Sequence, residues 1–231
     1  MPLLLLFDID GTLLQRATSE HARALLEAAA QVHGLARLDG VLSASPAGQT
    51  DEAIVRELLL AAGVSGEAAD AHWDAVQAAA VEAYAELCPA DLSDKVAPGV
   101  RELLGALAAR PDSYRLSLVT GNLEPVARLK LARAGLGDWF EHGQGGFGSD
   151  HSSRAELPPL ARARADGWPR ERTVVIGDTP RDIACARADR VRVVAVATGP
   201  FGVDELADAD AVVDDARALL PVLDDYLSAA L

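Results

Sequence analysis

The strongest constraint on this chain sits at its start, where an unbroken apolar run, Leu3–Phe7, stops abruptly at Asp8-Ile9-Asp10-Gly11-Thr12. A run with no polar face does not suit a half-exposed strand. It reads as a strand buried on both sides, the kind found in parallel sheets covered by helices, with a loop where the acids begin. The run falls far short of the roughly 20 apolar residues that a membrane span requires, and it has no basic lead-in. Neither a signal peptide nor a membrane anchor is expected.

The rest of the chain supplies what such a strand needs. Residues 18–87 are rich in Ala, Leu and Glu at helical spacing, broken at Gly34, at Ser45-Pro46-Ala47-Gly48 and at 63–66, with no strand-like run. Pro89 and Pro98-Gly99 close this stretch. Beyond them the pattern predicts a helix over 100–110, a strand over 115–119 and helices over 123–134 and 154–166. It continues as strand 173–176, helix 181–188, strands 191–196 and 211–213, and helix 217–227. Such alternation implies right-handed crossovers and a parallel sheet. The expected fold is α/β, a Rossmann-like parallel sheet core with an inserted α-helical cap domain. The core would take residues 1–15 and 96–231 and the cap 16–95, with hinges near 14–18 and 89–98.

Charge narrows the partners. Lys and Arg number 21 against 35 Asp and Glu, a net charge of −14, and only two residues are lysine, Lys95 and Lys130. Proteins that hold a phosphate backbone concentrate basic residues, so nucleic acid is not an expected partner. At 50% hydrophobic the chain is too apolar for a disordered acidic tail, and its acids are scattered. Cys88 and Cys185 have no metal-ligand spacing, which fits a reducing, cytoplasmic setting.

Ligands of open parallel sheets bind outside the carboxyl ends of the strands, so those ends carry the functional reading. At the first, Asp8 and Asp10 are separated by one residue. They point the same way if the strand continues and diverge if the chain turns, and the pair reads equally as a turn former. At the second, Thr120-Gly121-Asn122 precedes a helix start, which makes either a small anion site or an ordinary N-cap. At the third, Gly177-Asp178 is followed by Asp182 one helical turn later. Acids arriving from different strand ends repel unless a cation neutralises them, and oxygen ligands suit a hard ion such as Mg²⁺. Asp182 alone would equally complement a helix dipole.

These clusters, in this order on a parallel sheet, resemble the haloacid dehalogenase superfamily, in its phosphatase branch with a helical cap after the first motif. The likeness spans essentially the whole chain. It implies that Asp8 is a nucleophile forming an aspartyl-phosphate and that Asp10 is the general acid and base. Asp8, the backbone carbonyl of Asp10, and Asp178 would hold Mg²⁺, while Thr120 with the amides of Gly121 and Asn122 would bind phosphoryl oxygens. The third motif of the family usually carries Lys. Here Lys95 precedes the second-motif strand and Lys130 lies inside the helix after it, so Arg154 is expected to take that place, supported by Asp182. Arg keeps the charge and offers a bidentate fork.

The resemblance also separates alternatives. Asp10 counts against the dehalogenase branch, and the absence of a lysine from the cap up to Ala90 counts against phosphonate cleavage. A phosphosugar mutase of the same superfamily stays open, and a non-catalytic phospho-accepting regulatory domain is the reading from another class. Gly143-Gln144-Gly145-Gly146-Phe147-Gly148 matches a dinucleotide-binding fingerprint in letters only; no helix is expected to open directly after it, and it reads as a flexible loop before Arg154. The cap segment Gly48-Gln49-Thr50-Asp51 is either a helix-breaking turn or a loop lowering Gln49 onto the substrate. Many relatives place Arg or Lys there. A neutral amide does not pair a carboxylate, which counts against phosphoglycolate, a reasonable first ester to test. The expected partner is a small phosphorylated metabolite; His72, Trp73 and Tyr84 are expected to pack the cap, and nothing points to an oligomeric state.

Overall fold

The computed structural model describes residues 1–40, 42–43 and 45–229. Residues 41 and 44 of the expected cap and 230–231 of the expected core lie outside them. The apolar start forms β1 (Leu3–Phe7), followed by α1 (Ser19–Val32), α2 (Asp51–Ala61), α3 (Gly66–Ala71) and α4 (Trp73–Leu87). The chain then runs through α5 (Val100–Ala108), β2 (Tyr114–Thr120), α6 (Glu124–Arg133), β3 (Gly146–Phe147) and α7 (Leu157–Arg164). It ends with β4 (Thr173–Gly177), α8 (Pro180–Asp189), β5 (Arg192–Val196), β6 (Ala211–Val213) and α9 (Leu219–Ala229).

The sheet runs in the order β3-β2-β1-β4-β5-β6 with every neighbouring pair parallel. Its two outward branches start from β1, which pairs β2 on one side and β4 on the other, so the crevice at their carboxyl ends is the topological switch point. The alternation of β1 side chains divides the core. Leu3, Leu5 and Phe7 pack with α5, α6 and α9 on one face, and Leu4 and Leu6 with α7 and α8 on the other. All five are buried, and each such side chain stabilises the fold by about 1.5–3 kcal/mol relative to exposure.

The expected loop over 143–148 contains a strand instead. Gly146 and Phe147 pair with Val119 and Thr120, Phe147 N donates to Asp150 Oδ2 at 2.9 Å, and Arg164 clamps both oxygens of Asp150. Two residues of strand carry too little periodicity to be seen in a glycine-rich stretch; pairing with β2 selects it. The helical stretch after β1 is as expected, with α1 packed chiefly on α4 and Tyr84 buried against the ring of His21. Among the described residues no helix is long and apolar enough to cross a membrane.

Candidate active site

Three strand ends converge on one crevice. Asp8 follows β1 and Asp178 follows β4, and both are buried. Asp182 reaches the same place because α8 starts at Pro180, which makes Asp182 the third helical residue. One carboxylate oxygen from each of the three lies within 4.8 Å of the others. Asp182 closes a capping box with Thr179, whose N and Oγ1 donate to its Oδ2 at 3.0 and 2.7 Å, while its Oδ1 accepts from Arg154 Nη2 at 2.5 Å. Asp182 thus caps a helix and holds the Arg154 guanidinium at once. Asp178 Oδ1 accepts from Thr12 at 3.1 Å.

Arg154 is buried and its Nη2 also lies 3.1 Å from Asp8 Oδ1, so one guanidinium serves two carboxylates. The balance shows in the acidities. Burial lifts Asp8 from 3.8 to about 6, with Arg154 opposing and Asp182 and Asp10 adding to the rise. Burial, then Asp8 and Asp182, push Asp178 up to about 8. This trio is short of positive charge. An all-oxygen, under-neutralised donor set suits a hard divalent cation, and Asp8 and Asp178 have the freer oxygens because Asp182 is already bonded at both.

Asp10 goes another way. Its carboxylate accepts from Lys130 Nζ at 2.6 and 2.9 Å and from Asn122 Nδ2 at 2.8 Å. Burial alone would raise its pKa, but the Lys130 charge and the hydrogen bonds from Lys130 and Asn122 outweigh burial and hold it below the usual value. The carboxylates of Asp8 and Asp10 thus diverge, and the Asn122 side chain is spent on Asp10.

Thr120 ends β2, buried, and its Oγ1 accepts from Asn122 N at 3.4 Å. Neither Thr120 nor Asn122 caps α6. That role falls to distant groups: Asp51 Oδ2 accepts from Leu123 N at 2.8 Å and Ser149 Oγ from Glu124 N at 3.2 Å. The α2 end thus docks on the loop after β2, with Asp51 N donating to Gly121 O at 2.9 Å and Thr50 Oγ1 to Ser152 O at 2.6 Å. Gly121 is required by this approach, since a Cβ there would run into the Gln49 carbonyl. Gln49 lines the cavity with its amide turned back to Ser45 O at 3.3 Å. The cavity, about 750 Å³, joins Asp8, Asp10, Thr120, Arg154 and Asp178 to a wall that includes Ala22, Leu25, Leu26, Ile54 and Leu58.

The model of the haloacid dehalogenase-like hydrolases matches residues 5–187, a stretch that includes every one of these acids. This chain belongs to that family. It is 33% identical over 234 residues to a phosphoglycolate phosphatase of Rhodospirillum rubrum, covering 99% of this chain and 89% of that protein. A phosphoglycolate phosphatase of Pseudomonas putida is 27% identical, with 96% and 79% covered. Among solved structures, β-phosphoglucomutase from Clostridium difficile superposes with a TM-score of 0.71 at 16% identity, covering 99% of this chain and 98% of that one. CbbY from Rhodobacter sphaeroides in complex with phosphate gives 0.64 at 21% identity, with 97% and 100% covered. These last two speak for the fold alone. The protein is accordingly an enzyme, a haloacid dehalogenase-like hydrolase of the phosphatase kind.

Sequence reasoning brought Asp8, Asp10, Thr120, Gly121, Asn122, Arg154, Asp178 and Asp182 together, and the fold brings them together too. It missed Lys130, set aside as a residue inside a helix. In this hydrolase Lys130 has 0% exposure and reaches Asp10. A signal existed: Val126, Ala127, Lys130 and Leu131 form the buried stripe of α6, and a lysine on such a stripe demands a partner. His21 lies likewise on the buried stripe of α1 with Ala24, Leu25 and Ala28.

Proposed function

We propose that this hydrolase cleaves a small phosphomonoester through an aspartyl-phosphate on Asp8, with core and cap divided near residues 15/16 and 95/96. The supporting observation is the charge shortage at the strand ends: three convergent carboxylates and one buried guanidinium. Asp8, Asp178 and the backbone carbonyl of Asp10 would hold Mg²⁺. When bound, the ion supplies the positive charge that lets an anionic nucleophile meet an anionic ester.

In the first step an Asp8 oxygen forms a bond to phosphorus, the ester P–O bond breaks, and Asp10 passes a proton to the departing alkoxide. A phosphate arriving beside Asp10 adds like charge and favours its protonated form. In the second step water attacks phosphorus, Asp10 takes its proton, and Asp8 is released with inorganic phosphate. Thr120, the amides of Gly121 and Asn122, and Arg154 bind the phosphoryl oxygens. The Nε of Arg154, buried without a partner among the described residues, is a spare donor for that purpose.

Phosphoglycolate, named in the relatives, is the first ester to assay. The apolar wall from α1 and α2 and the inward-bonded Gln49 favour a larger, less polar leaving group than glycolate. Hydrolysis of 4-nitrophenyl phosphate should require Mg²⁺ and should vanish in Asp8→Asn. Release of phosphate unchanged by either treatment sinks the reading.

A further inference from the structure

A chain of hydrogen bonds runs from Asp10 across the boundary between sheet and helical insertion and back again. Lys130 Nζ donates to both oxygens of Asp10 and lies 3.2 Å from His21 Nδ1. His21 Nε2 lies 3.0 Å from Asp51 Oδ2, and that same oxygen accepts from Leu123 N. The hydrogen-bonding roles are mutually consistent. A carboxylate only accepts, so Nε2 must donate, which leaves the Nδ1 lone pair to accept from the lysine. The three donors of the ammonium are then fully used, two on Asp10 and one on His21.

The placement of the four groups gives this chain a meaning. Asp10 stands in the loop after β1 and Lys130 on α6, whereas His21 and Asp51 stand on α1 and α2. Asp51 touches Leu123 N and, through its own amide, Gly121 O, the loop that follows β2. Docking of α2 on that loop orients Asp51, Asp51 orients His21, and His21 fixes the ammonium that aims Asp10. We infer that Lys130, His21 and Asp51 are positioning residues that tie seating of the helical insertion to the orientation of Asp10. The inference rests on the reading of Asp10 as the acid for the leaving group.

A misaimed acid harms poor leaving groups and spares good ones, whereas a damaged fold harms both. The test compares 4-nitrophenyl phosphate with glycerol 3-phosphate at saturating Mg²⁺, with melting temperatures taken for every variant. Lys130→Met should lower kcat on the alkyl ester by about 10²-fold, the low end of general-acid contributions, and on the aryl ester by less than about tenfold. KM should move little. Asp51→Ala should lower the same alkyl-to-aryl ratio, and Asp51→Asn should restore it, because one amide oxygen still accepts from both His21 and Leu123. If Lys130→Met does not fold, the two Asp51 variants carry the test. Equal losses on the two esters, or an Asp51→Asn as damaging as Asp51→Ala, overturn the inference and leave the phosphatase reading intact. A wild type inactive on both esters removes the phosphatase reading, and the inference with it.

Discussion

Asp8 and Asp10 leave the same strand two residues apart, and their surroundings drive them in opposite directions. Asp8 shares one guanidinium with Asp182 and faces Asp178, so its pKa rises to about 6. Asp10 takes two of an ammonium's three donors and an amide besides, and its pKa falls despite burial. The contrast teaches that residue type does not assign the role. A carboxylate left short of charge is ready for a cation, and one saturated with donors is held in place.

The largest expected effect is removal of the metal, since chelation takes away what the trio lacks and should bring hydrolysis to background. The acidities add a sign. Asp8 and Asp178 must lose protons to bind a cation, so Mg²⁺ affinity should rise from pH 6 to 8 with proton release, read by calorimetry in buffers of different ionisation heat. In the metal-free protein their raised values stabilise the fold at low pH, and that contribution is lost as pH climbs from the ordinary 3.8 through about 6 and about 8. Melting temperatures taken with chelator across pH 4–9 should fall accordingly. A flat profile would erase the contrast between the two acids.

Next comes Arg154→Met, which removes the one cation that Asp8 and Asp182 hold among the described residues. Breaking a buried pair on one side costs about 3 kcal/mol or more, visible in metal-free urea denaturation, and Mg²⁺ should recover part of it. Gly121→Ala should act through the other half of the site by lifting the Gln49–Thr50 segment. A displacement of that kind costs on the order of 10²-fold in kcat/KM, and faster proteolysis of the segment around residue 45 would accompany it. The smallest effect belongs to Arg181→Ala, which deletes bonds to the carbonyls of Ser45 and Ala47. At about 1 kcal/mol or less, it should raise KM a few-fold without changing pH dependence.

Much of the site was readable in advance because its residues sit at strand ends, and strand ends follow from local pattern. The run Leu3–Phe7 announces Asp8, and Thr173–Gly177 announces Asp178. Arg154 was found because the family resemblance calls for a basic residue before a helix and neither lysine stands at that place. Lys130, His21 and Asp51 were not, since each looked ordinary where it stood and only its distant partner gives it a task. The strand at Gly146 and Phe147 escaped for a related reason: a two-residue element exists through its neighbour β2.

The sequence by itself determined the alternation of strand and helix, the two-sided burial of the first strand, the acids at the strand ends and the family. The first three follow from interactions between residues close in the chain, which periodicity and turn chemistry record, and the family from the resemblance that its motifs carry. Only the tertiary structure decided the strand order, the docking of α2 on the loop after β2, and the partition of four aspartates into a charge-poor trio and a saturated Asp10. Those features depend on groups that chain folding brings together from far apart in the sequence, 30 residues for His21 and Asp51 and 120 for Asp10 and Lys130. Burial then amplifies whatever balance results, because water is not there to screen it.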